Sequence, residues 1–255
     1  MAADTAGRAD VALVTGGSGG IGSAVCARLA ADGTPVALTY RSRRPVEVIE
    51  AVEATGTAVL AEQVDVGDPE ALERFVARVD QELGRLRTVI HCAGPHVPMV
   101  HLSKVSPEQF AEQLDSDASG FFNVVHATLP LLRASQGSVV AVTTAATTRF
   151  PVRDGLSSGP KGAVEALARA FAAEEGRFGV RVNCVGPGML TDGMAERLIA
   201  SGDLDERALE QARSNIPLRT FGRATDIAEA ACFLASERAG FITGQKLDVD
   251  GGYGI

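Results

Sequence analysis

A chain of 255 residues, 45% hydrophobic and 22% charged, is long enough to bury a sizeable core and too apolar to be disordered. Its net charge of −8 argues against nucleic acid or an anionic membrane as partner, and 5% aromatic content without tryptophan offers no stacking platform for single strands. No segment has the apolar length of a membrane span or a secretory leader, and Cys26, Cys92, Cys184 and Cys232 lack zinc or disulfide spacing, so a reduced cytoplasmic protein is expected.

In chain order, short β-branched runs at residues 11–15, 36–40, 57–61, 88–92, 138–143, 180–185 and 245–249 alternate with helical periodicity at 20–31, 46–54, 69–83, 107–132, 160–178 and 225–235. The alternation predicts one α/β domain over 1–255, a doubly wound parallel sheet of about seven strands with helices on both faces. The polar stretch 188–222, with short helices expected at 194–200 and 205–214, follows the sixth run, where such a sheet carries a substrate lid.

The first run enters Thr15-Gly16-Gly17-Ser18-Gly19-Gly20-Ile21-Gly22 and then a helix. Glycines at this spacing allow a sharp turn and close backbone approach, and they leave the helix N–H groups facing a pyrophosphate. Thr15, Gly16, Ser18, Gly20, Ile21 and Gly22 are therefore candidate dinucleotide contacts. The second run ends Tyr40-Arg41-Ser42-Arg43-Arg44, with no carboxylate to receive a ribose 2′-hydroxyl. A guanidinium suits a 2′-phosphate, so NADPH is expected, with Tyr40, Arg41 and Ser42 at the adenosine end.

With these features the chain resembles the short-chain dehydrogenase/reductase family, most closely the 3-oxoacyl-carrier-protein reductase type, over nearly its whole length. The resemblance also rests on Asp65-Val66, His91-Cys92-Ala93-Gly94, Asn183 through Gly188, Ile216-Pro217-Leu218, Ile242-Thr243-Gly244-Gln245 and Asp248 through Gly252. It implies a Rossmann-type fold in which Asp65 and Val66 meet the adenine and Cys92, Ala93 and Gly94 line the cofactor. It also implies that Lys161 binds the nicotinamide ribose and that Pro187 and Gly188 face the carboxamide.

The family's catalysis uses an Asn, a Ser, a Tyr and a Lys, the last two as Y-x-x-x-K. Lys161 matches, but Ser157 stands where the Tyr belongs, and the only tyrosines are Tyr40 and Tyr253. Thr144 holds the serine position, thirteen residues before Ser157, and Asp117 the asparagine position. General acid catalysis is worth about 10²–10⁴-fold, so losing a phenol weakens hydride transfer without abolishing it. Lys161 is the first candidate for a replacement donor. Thr144 would hydrogen-bond the carbonyl oxygen. Ser157, three residues before Pro160, reads more readily as a helix cap than as a catalyst. His96 and Asp117 complete the candidates, while His91, His101 and His126 read as structural.

The leading expectation is an NADPH-dependent ketoreductase with an atypical centre. Its substrate would be a small ketone, carrier-bound or free, such as a polyketide or quinone-like intermediate whose own phenol or enol supplies the missing donor. The alternatives are a non-redox dehydratase, isomerase or cyclase on the same scaffold, and a silent subunit paired with a related reductase. A homotetramer or dimer is implied by the resemblance.

Overall fold

Residues Val11 to Val14 alternate between two cores. Val11 and Leu13 point into one, Ala12 and Val14 into the other, and all are at most 1% exposed. A strand buried on both faces must be covered on both, and the computed structural model, which describes residues 8–95, 97–192 and 206–255, shows how. The strands are β1 (Asp10–Thr15), β2 (Val36–Tyr40), β3 (Val59–Gln63), β4 (Arg85–His91), β5 (Ser138–Val142), β6 (Arg181–Pro187) and β7 (Lys246–Val249). They form one parallel seven-stranded sheet in the order β3-β2-β1-β4-β5-β6-β7.

Helices α1 (Gly20–Ala31), α2 (Val46–Glu53) and α8 (Ala224–Ala235) cover one face through Val25, Cys26, Leu29, Val52, Ile227 and Ala231. The other is covered by α3 (Pro69–Glu82), α5 (Gly120–Ser135) and α6 (Gly155–Glu175), through residues that include Leu72, Phe75, Phe121, Val125 and Val164. Helices α4 (Pro107–Leu114) and α7 (Glu206–Ser214) lie in the connections. Among the described residues no helix is long and apolar enough to cross a membrane.

Several boundaries depart from expectation. Strand β3 begins at Val59, not at residue 57, because Thr57 donates its hydroxyl to the Ala30 carbonyl at the end of α1 and Val36 pairs with Val59. The helix expected over 107–132 is interrupted by a wide turn, Asp115–Ser119, with Asp117 wholly buried inside it. Helix α6 starts at Gly155 and carries Pro160 in its interior. Its start is fixed by tertiary packing: a Cβ on Gly155 would lie 2.6 Å from the Leu102 side chain. The short helix expected at 194–200 lies outside the described residues. The base of that insert is closed, since Leu190 bridges Gly222 and Thr191 N–H donates to the Gly222 carbonyl at 2.9 Å.

Candidate active site

The chain runs from β1 outward to β3 and then returns to place β4 on the other side of β1, so the strand order reverses between β1 and β4. Two loops leave the carboxyl ends of these strands there. Gly16 adopts φ +69°, donates its N–H to Thr39 Oγ1 at 3.2 Å, and lies so close to the Ala93 backbone that a Cβ would come within 2.7 Å. Gly17 N–H donates to the Thr39 carbonyl at 2.9 Å, and Gly19 N–H to the Gly16 carbonyl at 3.0 Å. Gly22 packs against the same carbonyl, where a Cβ would sit at 2.2 Å.

Helix α1 follows with no side-chain cap and no acidic residue in its first turn. Its first N–H groups and the positive end of its dipole stay available to an anion. Gly20 has nothing within 4 Å of where a Cβ would be. No packing among the described residues requires glycine there, and the open space fits a phosphate group approaching the backbone. Ser18 is exposed and Ile21 half-buried beside it.

The other expected nucleotide contacts lie along the same edge of the sheet. Tyr40 closes β2, half-buried, and Arg41, Ser42, Arg43 and Arg44 follow, exposed. None of these three guanidiniums has an ion-pair partner among the described residues. Asp65 follows β3 and accepts the Gly67 N–H at 2.9 Å, and the Val66 carbonyl is held by Asn123 Nδ2 at 3.1 Å. Cys92 and Ala93 are half-buried and Gly94 exposed after β4, and burial pushes the Cys92 thiol up. Pro187 ends β6, and Gly188 N–H donates to the Val249 carbonyl at 3.0 Å.

The interrupted helix and α6 meet beside these loops. Lys161 Nζ lies 2.8 Å from Asp117 Oδ1, as an ion-pair contact outside hydrogen-bond angles, and Gln113 Nε2 donates to Asp117 Oδ2 at 2.7 Å. Gly94 adjoins the pair, since a Cβ there would stand 3.1 Å from Lys161 Nζ and 3.3 Å from Asp117 Oδ1. Thr144 follows β5 and starts a short turn in which its Oγ1 accepts the Ala146 N–H at 3.1 Å, so its own hydroxyl proton remains for another acceptor. Ser157 is not the helix cap. It lies inside the first turn of α6, half-buried, with no side-chain hydrogen bond among the described residues, and the cap position is Asp154. His96 lies outside the described residues.

Sequence reasoning missed two supports, Gln113 and Thr39, and read a third, His91, as structural. Gln113 stands four residues before Asp117, a helical spacing that could have been noticed. Thr39 braces the glycine turn from the neighbouring strand through its Oγ1 and carbonyl. His91 Nδ1 lies 2.8 Å from Thr15 Oγ1; burial first, and then the Lys161 charge, push the imidazole down to about 3, so this ring is neutral and structural. A cavity of about 760 Å³ lined by Arg87, Arg181 and Phe241 lies at the amino-terminal edge of the sheet, remote from this chemistry.

An open parallel sheet whose order reverses beneath a glycine turn and an uncapped helix start defines the dinucleotide-binding α/β class. Over residues 16–254 the chain matches the family model described as Enoyl-(Acyl carrier protein) reductase. It is 34% identical over 250 residues to "Versicolorin reductase 1" of Aspergillus parasiticus, covering 95% of each chain. It is 32% identical over 244 residues to "3-oxoacyl-[acyl-carrier-protein] reductase FabG" of Staphylococcus epidermidis, covering 94% of this chain and 97% of the other. A solved short-chain type dehydrogenase/reductase from Mycobacterium ulcerans superposes with a TM-score of 0.88 at 30% identity, covering 96% of this chain and 90% of that one. The protein belongs to the short-chain dehydrogenase/reductase family and is an oxidoreductase.

Proposed function

We propose that this protein is an NADPH-dependent ketoreductase whose active site works without the family's tyrosine, reducing a ketone that carries a neighbouring phenol or enol. The observation that carries this reading is the contrast within one site. The glycine turn, the uncapped helix and the open space at Gly20 fit a dinucleotide, while the tyrosine position is held by Ser157. A substrate whose carbonyl is already polarised by an internal hydrogen bond requires less of the protein. A polyketide-like or quinone-like ketone, free or on a carrier protein, has this property.

NADPH, when bound, supplies the hydride. Thr15, Gly16, Ser18, Gly20, Ile21 and Gly22 would hold its pyrophosphate, and Tyr40, Arg41 and Ser42 its 2′-phosphate. Asp65 and Val66 would flank the adenine, Cys92, Ala93 and Gly94 the cofactor's middle, and Pro187 and Gly188 the carboxamide. Lys161, held by Asp117, would bind the nicotinamide ribose and place positive charge beside the forming alkoxide, to which Thr144 donates its free hydroxyl proton as a hydrogen bond. Assembly into a dimer or tetramer is supported by the outer edge of β7, which has no partner strand among the described residues, and by exposed Phe110, Phe122 and Leu247.

The deciding experiment offers NADPH deuterated at either face of C4 to 3-oxoacyl thioesters and to phenolic polycyclic ketones, with products read by mass spectrometry. Deuterium at the carbinol carbon of the phenolic substrate is expected. Cofactor binding with no label transferred to any ketone would overturn the reading, and transfer only to ketones without an internal donor would overturn its substrate half. Arg41→Ala is expected to weaken NADPH by about 10- to 100-fold, the worth of a charge-assisted hydrogen bond, with little change for NADH. Fluorescence titration with both nucleotides checks this, and equal losses would remove Arg41 from the 2′-phosphate.

A further inference from the structure

A lysine ammonium has three protons to give and nothing with which to accept. Lys246, which opens β7, is withdrawn from solvent, its side chain 15% exposed, and its Nζ donates to the hydroxyls of Thr147 and, at 3.1 Å, of Thr148. It also lies 2.9 Å from Asp248 Oδ1 and 3.4 Å from Glu165 Oε1, and Thr148 donates its own proton to Asp248 Oδ2 at 2.6 Å. Because Thr147 Oγ1 accepts from the ammonium, its single proton is directed away from it, to Glu165 Oε1 at 2.7 Å and the Thr144 carbonyl at 3.1 Å. Apolar side chains fill such a space without desolvating three charges. What this polar set adds is direction.

The set stands directly behind Thr144. A Cβ on Gly186 of β6 would strike Asp248 Oδ1 and lie 2.6 Å from Lys246 Cε and 3.1 Å from the Thr144 carbonyl carbon, so glycine makes the room in which the ion pair meets the Thr144 backbone. Thr144 begins the short turn Ala145–Thr147, and the Thr147 hydroxyl closes that turn back onto the Thr144 carbonyl. Glu165 then anchors the turn to α6, one helical turn after Lys161. The Thr144 hydroxyl and the Lys161 ammonium are thereby referred to one scaffold. A cavity of about 10 Å³ beside the cluster has room for one water at most, so the charges serve this turn and not a ligand.

We propose that Thr147 is a positioning residue for the reduction. Held by Lys246 and Glu165, its hydroxyl fixes the turn that begins at Thr144, so that the Thr144 Oγ1 proton stays aimed at the substrate's carbonyl oxygen while Lys161 stays on the cofactor. In this scheme Thr147 touches neither substrate nor cofactor and transfers no proton. A donor already in place when charge develops on the oxygen requires no reorganisation in the transition state, so the brace acts on kcat more than on KM. The inference rests on the ketoreductase reading and deepens it by adding the group that orients its hydrogen-bond donor.

The test compares the parent with Thr147→Val and Thr147→Ser, each with and without Thr144→Val, using a phenolic polycyclic ketone and deuterated NADPH. Thr147→Val keeps the side chain's volume and leaves the ammonium with Glu165, Asp248 and Thr148, so it should fold, and a thermal melt checks this. It is expected to lower kcat by about 10- to 100-fold, the cost of misplacing a reacting group, with KM and NADPH affinity little changed. Thr147→Ser, which keeps the hydroxyl, should restore most of the rate. Thr144→Val alone should cost about 100-fold, and adding Thr147→Val to it should cost less than about twofold more, because the brace acts through the group already removed. Thr147→Ala, smaller than either replacement, must reproduce the loss seen with Thr147→Val. A parental kcat in Thr147→Val, no recovery in Thr147→Ser, or the full loss repeated on top of Thr144→Val would overturn the brace and leave the ketoreductase reading standing. A parent that transfers no deuterium to any ketone would overturn both.

Discussion

Lys161→Ala is expected to cost about 3–5 kcal/mol of stability as well as activity, because it strands a carboxylate in the core. Asp117 is 0% exposed, the Lys161 side chain 14%, and the two meet at 2.8 Å. Taking both charges out of water is expensive, and their mutual attraction together with the Gln113 hydrogen bond offsets that cost. Removing the ammonium leaves the desolvation without the compensation. For a chain of this size the loss corresponds to a melting temperature lower by about 10 °C. The double variant Lys161→Met, Asp117→Leu should recover most of the stability, since apolar replacement of a buried pair is often neutral, and should still transfer no deuterium. Thermal melts of the three proteins, with the labelled-NADPH assay, check both halves. A Lys161→Ala melt within a degree of the parent would mean that the pair is solvated in solution and is not a structural element.

The fold was legible because its requirements are local. A strand covered on both faces must be apolar throughout, as Val11 to Val14 are, and a turn that passes under a phosphate must be glycine-rich, as Gly16 to Gly22 are. The catalytic region was less legible because its geometry is tertiary. Pro160 reads as the first turn of a helix, which made Ser157 a cap. The actual start at Gly155 is set by Leu102, which arrives from a distant loop. Residues 117 and 161 lie on separate helices 44 positions apart in sequence, and no periodicity announces that their charges meet. The same displacement of the helix start makes Asp154 the cap residue, which in the sequence is one of many loop carboxylates. Strand β3 shifted by two residues because a polar edge strand carries a weak alternation signal, with Glu62 and Gln63 inside it.

Two alanine substitutions two residues apart in the chain should separate what the glycine turn does for the fold from what it does for the nucleotide. Gly22→Ala is expected to damage both. Its Cβ would lie 2.2 Å from the Gly16 carbonyl oxygen and 2.9 Å from Gly17 Cα, which are backbone atoms that no rotamer change can move aside. The start of α1 must shift away from the turn, at about 1–3 kcal/mol by the usual cost of overpacking, and the N–H groups move with it. Gly20→Ala meets nothing within 4 Å among the described residues, so the empty protein should melt where the parent does. Any loss of nucleotide affinity in that variant therefore reports on the ligand alone. If a pyrophosphate approaches the backbone at Gly20, the added methyl should weaken NADPH and NADH alike by about tenfold or more, unlike Arg41→Ala, which discriminates between them. Fluorescence titrations with both nucleotides and melts of the empty proteins make the comparison. Full affinity in Gly20→Ala at an unchanged melting temperature would remove the pyrophosphate from this turn, and with it the assignment of Thr15 to Gly22 as the cofactor cradle.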